Sequence, residues 1–209
     1  GTVTTHTGTV TIADTPSVAN LTTINTATSG AITISGTGAL SDSAANLAAA
    51  FAGTISGYSG AVTITDGPTL AQLKTINAAT SGAITLDDTN DAYSGSAADL
   101  VSAFAGTVTT HTGTVTITDA PSVAQLKAIN AATSGAITLG TTNGALSGSA
   151  ADLVLAVAGT VTTHTGTVTI TDGPTLAQLI TINAATTGAI TLDDTNDAYS
   201  GSAADLVSA

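Results

Sequence analysis

The pentapeptide DDTND occurs twice and packs carboxylates and an amide into one short loop: Asp87, Asp88, Asn90 and Asp91, then Asp193, Asp194, Asn196 and Asp197. Oxygen donors at that density are the ligands calcium takes, so these eight residues are the candidate metal set and weak calcium binding is the candidate chemistry. The equivalent loops elsewhere read SGTG and GTTNG, and neither an EF-hand loop nor a glycine-rich nonapeptide is present. Asp and Asn also favour turns for local reasons, which leaves solvated turn residues as the competing reading.

Other polar residues recur with the repeat. His6, His111 and His164 share one position, which Tyr58 takes in the remaining unit. A metal site needs several ligands converging at fixed distances; one histidine per unit, replaceable by tyrosine, reads instead as a turn residue that packs on its neighbour or bonds backbone. Asp14, Asp66, Asp119 and Asp172 close the extended segment before each proline, where they end strands and favour a helix N-terminus electrostatically. Repeated identical carboxylates lack the unlike environments that acid–base pairs require. The YSGS and LSGS strings lack the G-x-S-x-G elbow of a serine hydrolase. No catalytic residue is therefore assigned, and the chain is read as a non-enzyme. Asn25, Asn77, Asn130 and Asn183 stand near the end of a helix in every unit; a structural role is expected, at the most buried polar position.

Threonine rows such as Thr114, Thr116, Thr118 and Thr167, Thr169, Thr171 would form a hydroxyl lattice on a flat sheet, similar in pattern to some ice-binding solenoids. The segments AYSGS and ALSGS interrupt it in every second half-unit. Thr also favours exposed sheet positions for its own reasons.

Composition narrows the field. Of 209 residues, 43% are apolar, 2% aromatic and 8% charged, with no Cys, Met, Trp, Glu or Arg. Disulfide scaffolds are excluded, and the apolar content argues against disorder. Two lysines, Lys74 and Lys127, against fourteen aspartates at net −12 argue against nucleic-acid binding. No apolar run approaches the ~18 residues of a membrane helix, and no signal or transit peptide is present, so no membrane insertion is expected.

The elements that position these residues repeat with a period of 53, in units 1–52, 53–105, 106–158 and 159–209. Units two and four are nearly identical from Val62 and Val168 onward. Each unit is itself double, which gives eight half-units of about 26 residues, the size of a solenoid turn. Ala97, Leu100, Val101 and Phe104 share one helical face, behind a capping-box-like Ser96 and Asp99. Pro68 is placed at a first helical position, behind Asp66 and Gly67, with Leu70, Leu73 and Ile76 buried. Val115 and Ile117 alternate with Thr114, Thr116 and Thr118, and Ile84 and Leu86 with Thr85, which gives a sheet with one covered and one wet face.

The fold expected is an α/β repeat solenoid: a two-layer array of ββα (or βα) half-units over residues 1–209, helices on one face and a Thr-rich sheet on the other. Packed helices need about 8–10 Å, and two hairpin strands advance roughly 9.6 Å. That match favours a straight ββα array, with HTG (His111 to Gly113) and DDTND as hairpin turns, over a curved βα one. The chain opens on GTVTTHTG and stops within a helix; as arrays need capping repeats, it reads as a fragment of a longer array or a subunit that joins end to end.

The strings TVTITDxPSVAQLxxIxAATSGAITL and SGSAADLVxAFAGT resemble the tandem repeats of giant cell-surface proteins from cyanobacteria and other aquatic bacteria. The resemblance implies an extracellular or cell-surface structural or adhesive protein and brings no catalytic residues. The expected function is a building block of a surface fibre, filament or surface layer that stacks head to tail on itself. The alternatives are an adhesin stalk, a calcium-stabilised surface-binding module and an ice-binding threonine face. No cofactor is expected beyond calcium.

Overall fold

Three-residue strands with apolar ends recur along the chain, each separated from its pairing partner by a helix. In the computed structural model, which describes residues 5–196 and 198–209, the order is β1 (Val10–Ile12), α1 (Val18–Ala27), β2 (Ile32–Ile34), β3 (Leu40–Asp42), α2 (Ala44–Ala50), β4 (Ile55–Ser56), β5 (Val62–Ile64) and α3 (Leu70–Ala79). It continues with β6 (Ile84–Leu86), β7 (Tyr93–Gly95), α4 (Ala97–Ala103), β8 (Val115–Ile117), α5 (Val123–Ala132), β9 (Ile137–Leu139), β10 (Leu146–Gly148), α6 (Ala150–Ala156), β11 (Val168–Ile170), α7 (Leu176–Ala185), β12 (Ile190–Leu192) and α8 (Ala203–Ser208).

The chain divides into two compact units. One is the chain up to Asp91 together with Ser102–Thr110; the other is Ala92–Val101 with His111–Ala209. The first holds sheets β1-β2-β4 and β3-β5-β6, with α1, α2 and α3 packed in succession. The second holds β7-β8-β9 and β10-β11-β12, with α5, α6, α7 and α8 in succession. The α/β class and the repeated βα unit are thus as expected.

The hairpins are not. Every described strand pair is parallel. The strands that flank DDTND, β6 and β7, belong to different sheets. Parallel neighbours require a crossover, and the long helices supply it: α1 joins β1 to β2 and α3 joins β5 to β6. HTG and DDTND therefore carry the chain from one sheet to another, and the straight ββα array loses its basis. Paired strands lie 22 residues apart, as Val62 and Ile84 do, whereas α2 and α3 begin 26 apart, at Ala44 and Leu70. Both elements still recur with the 53-residue repeat, and parallel bridges from Ile84 to Val108 and from Ile137 to Val161 carry two of the sheets one position further.

The helices start where the side chains dictate. Thr69, Ser122 and Thr175 each accept the N–H three residues on, while Gln72, Gln125 and Gln178 reach back to the N-cap backbone, a complete capping box. Pro68 consequently lies one residue before the cap rather than at the first helical position, and its ring is buried. Strand burial alternates as expected: Val115 and Ile117 are fully enclosed, and Ile32 and Ile34 are buried around an exposed Thr33. Backbones also meet at glycine pairs. A Cβ on Gly135 would stand 1.7 Å from the carbonyl oxygen of Gly113, so no larger residue fits.

Candidate functional site

Asp87, Asp88 and Asn90 are exposed, as are Asp193, Asp194 and Asn196. The Asn90 N–H donates to Asp88 Oδ1 at 3.2 Å and the Asn196 N–H to Asp194 Oδ1 at 3.0 Å, so each loop closes an Asx turn with one of its own oxygens. Asp91 is half-buried and lies over Gly67, where a Cβ would come within 2.2 Å of Oδ2. Asp197 lies outside the described residues. Among the described residues, no three acidic or histidine groups gather as metal ligands.

The recurrent polar residues do converge, at helix ends that belong to other half-units. Asp66 Oδ1 accepts the Ala44 N–H at 2.6 Å, Asp119 that of Ala97 at 2.7 Å and Asp172 that of Ala150 at 2.7 Å. Each carboxylate serves the short helix 22 residues upstream rather than the helix that follows it, a correction to the sequence reading. The asparagines work in the opposite direction. Asn77 Nδ2 donates to the carbonyls of Ser102, Ala103 and Ala105, and Asn130 to those of Leu155, Ala156 and Ala158, all between 2.8 and 3.3 Å. They close the C-termini of α4 and α6, whose last carbonyls have no intrahelical partner. Asn25 does the same for α2 and Asn183 reaches Ser208 in α8. Partly exposed, they are not the most buried polar position.

The polar position buried in all four units is the threonine of the T-S/T-G turn. The hydroxyls of Thr28, Thr133 and Thr186 donate to the carbonyls of His6, His111 and His164 at 2.9–3.1 Å, and Thr80 donates to Gly60. Each also accepts the glycine N–H two residues on. Their recurrence in all four repeats was the available signal, masked by the abundance of threonine. Beside them His111, His164 and Tyr58 are enclosed at 0, 4 and 0% exposure, whereas His6 is exposed. His164 Nε2 donates to Gly144 O at 2.6 Å and the Tyr58 hydroxyl donates to Gly38 O. Both rings present a donor to a carbonyl 20 residues earlier, which explains how they interchange.

The outward hydroxyls form rows. Ser94, Thr116 and Thr138 stand side by side, as do Ser147, Thr169, Thr191 and Ser41, Thr63, Thr85. The serines of the YSG and LSG strands thus continue the row that the sequence reading had them interrupt, because parallel register places them opposite threonine. The serines that follow these strands cap helices: the Ser96 hydroxyl donates to Asp99 at 2.9 Å and that of Ser202 to Asp205 at 2.7 Å.

Electrostatic perturbation is local. Hydrogen bonds from the Asn46 side chain and the Ser43 N–H hold the Asp42 carboxyl below the usual range. Lys127, 2.5 Å from Asp152, does the same there, and burial raises the Tyr58 phenol. An open groove of about 470 Å³ between the end of α2 and α3 is lined mainly by Phe51, Ile55, Ala71, Thr75 and Ala78, with Lys74 at its side. No helix among the described residues is long and apolar enough to cross a membrane. No family model, no curated protein and no solved structure matches the chain.

Proposed function

We propose that the chain is a structural repeat protein of the cell exterior, a building block of a fibre, filament or surface layer that stacks head to tail, and not an enzyme. The observation that carries this reading is the exchange of helix caps. Aspartates close helices of the half-unit before and asparagines those of the half-unit after, so each half-unit is completed only by its neighbours, as in a solenoid. A chain without Cys or Met offers little to oxidation, and two basic residues offer trypsin-like proteases few sites; both suit an extracellular life. The likeness of its strings to giant surface proteins points the same way.

Electron microscopy of the purified chain, with sedimentation over a concentration series, tests the reading. Linear particles that lengthen with concentration are expected; a monomer throughout overturns it. The in-register hydroxyl rows favour a second reading, a sheet face that binds an ordered lattice such as ice. Thermal hysteresis that disappears on Thr116→Lys would establish that function, and its absence in the unmodified chain would dismiss it.

A further inference from the structure

We infer that the Asn143–Gly144 step is a site of self-modification. The chain deamidates there through a backbone succinimide, with water as the only co-reactant, and the isoaspartate that results opens the clasp between this loop and His164. The chemistry is internal to one chain and stands apart from the stacking reading.

Asparagine is a thermolabile residue, and its neighbours decide how labile. Three steps in the sequence place an Asp or Asn before glycine: Asp66–Gly67, Asn143–Gly144 and Asp172–Gly173. Glycine matters because its backbone, with no Cβ, can approach another group closely, here the side-chain carbonyl of the residue before it. Of the three, Asn143–Gly144 alone has both reacting groups unengaged. The carboxylates of Asp66 and Asp172 accept the Ala44 and Ala150 N–H groups, and an ionised carboxylate resists attack. Asn143 is exposed, its carboxamide makes no hydrogen bond among the described residues, and neither does the Gly144 N–H. Other asparagines are shielded. Asn77 and Asn130 lie in helices and hold carbonyls at the end of the next helix, while Asn90 and Asn196 precede aspartate rather than glycine.

The Gly144 nitrogen attacks Cγ of Asn143. The N–Cγ bond forms, the Cγ–Nδ2 bond breaks, and the displaced group leaves as ammonia, taking the Gly144 amide proton. Water then opens the imide ring at either carbonyl. Opening at Cγ leaves aspartate; opening at the main-chain carbonyl leaves isoaspartate, whose backbone runs through Cβ and Cγ and is one methylene longer. The loop has no room for that methylene. Thr142 O accepts the N–H groups of Thr165 and Gly166 at 2.8 and 3.1 Å, and Gly144 O accepts from Nε2 of the buried His164 at 2.6 Å. These bonds hold carbonyls on both sides of Asn143 and leave the attacking nitrogen and the carboxamide free. Gly166 lies so close that a Cβ on it would stand 2.5 Å from Asn143 O. A lengthened main chain between the two fixed points displaces Gly144 O from His164.

Incubation of the full chain at mildly alkaline pH, followed by denaturation, cleavage after Lys74 and Lys127 and fragmentation mass spectrometry, tests the site. Amide-to-acid conversion at Asn143 is expected at least tenfold faster than at Asn77, Asn90 or Asn196, with a product that an isoaspartyl methyltransferase labels. Asn143→Thr should abolish that labelling and leave helix content unchanged, because Thr37 holds the equivalent place before Gly38, the acceptor of Tyr58. The His164 ring N–H, followed by NMR, should exchange faster in the isoaspartate fraction. Asn143→Asp adds the charge without the longer backbone and should leave that exchange near the unmodified rate. Equal conversion at Asn90, or none at Asn143, overturns the site. Conversion that leaves the His164 exchange unchanged overturns the opening of the clasp, as does an Asn143→Asp chain that exchanges as fast as the isoaspartate fraction.

Discussion

Replacing Asp66 with alanine removes the acceptor that the Ala44 N–H uses at 2.6 Å. It should cost about 1 to 2 kcal/mol, the range of a lost helix N-cap. Urea or thermal unfolding of the dilute chain reads this directly. Asp87 provides the control: its side chain is exposed in a loop, so Asp87→Ala should leave the melting temperature nearly unchanged. An equal loss for both variants would mean that the charge, not the bond, matters. Titration separates further residues. Lys127 lowers the Asp152 pKa, so the stabilisation is present above the ordinary carboxylate value of about 3.9 and is lost as pH falls through the lower folded value. Lys127→Met should raise the Asp152 titration midpoint, observed by NMR. Because both side chains are more than two-fifths exposed, added salt should shrink the difference.

At the level of elements, the short helices depend on residues outside them. Asn130 closes three carbonyls at the end of α6, so Asn130→Ala should destabilise the chain by about 1 to 3 kcal/mol, the penalty for partly buried groups left unpaired. Amide exchange in α6 should accelerate most. Asn183→Ala should cost less, since Asn183 is exposed and reaches only Ser208 in the described contacts. Helices were readable in the sequence because their signals are local: the Ala97–Leu100–Val101–Phe104 face and the Ser96–Asp99 cap lie within one turn or two. Strand faces were readable for the same reason, from Val115–Thr116–Ile117. Parallel pairing was not. Alternation with one wet face is the usual mark of antiparallel sheets, and short polar loops invite a hairpin, whereas the true partner stands 22 residues away across a helix. The asparagine and aspartate caps escaped for a related reason. Each serves an element fixed by packing rather than by adjacency, and Asp66 before Pro68 looks, on spacing alone, like a guard of the helix that follows.

At the level of the whole molecule, the balance lies between apolar contact and charge. Fourteen aspartates against two lysines give net −12, and like-charged copies repel over roughly the Debye length, about 10 Å at 0.1 M salt. Where copies associate, apolar contact contributes burial, while the acidic loops contribute repulsion alone. Self-association should therefore tighten as sodium chloride rises from about 0.01 to 0.3 M, as the screening length contracts from about 30 Å towards the close-contact range. This is opposite to the behaviour of an interface held by ion pairs. Light scattering over that series reads the sign. Calcium chloride at matched ionic strength then distinguishes screening from ligation: simple screening makes the two salts nearly equivalent. An excess effect of calcium that Asp88→Asn and Asp194→Asn abolish would instead assign the ion to the DDTND loops. Because Asp88 and Asp194 already hold a backbone N–H with one oxygen, the near-equivalent outcome is the one expected.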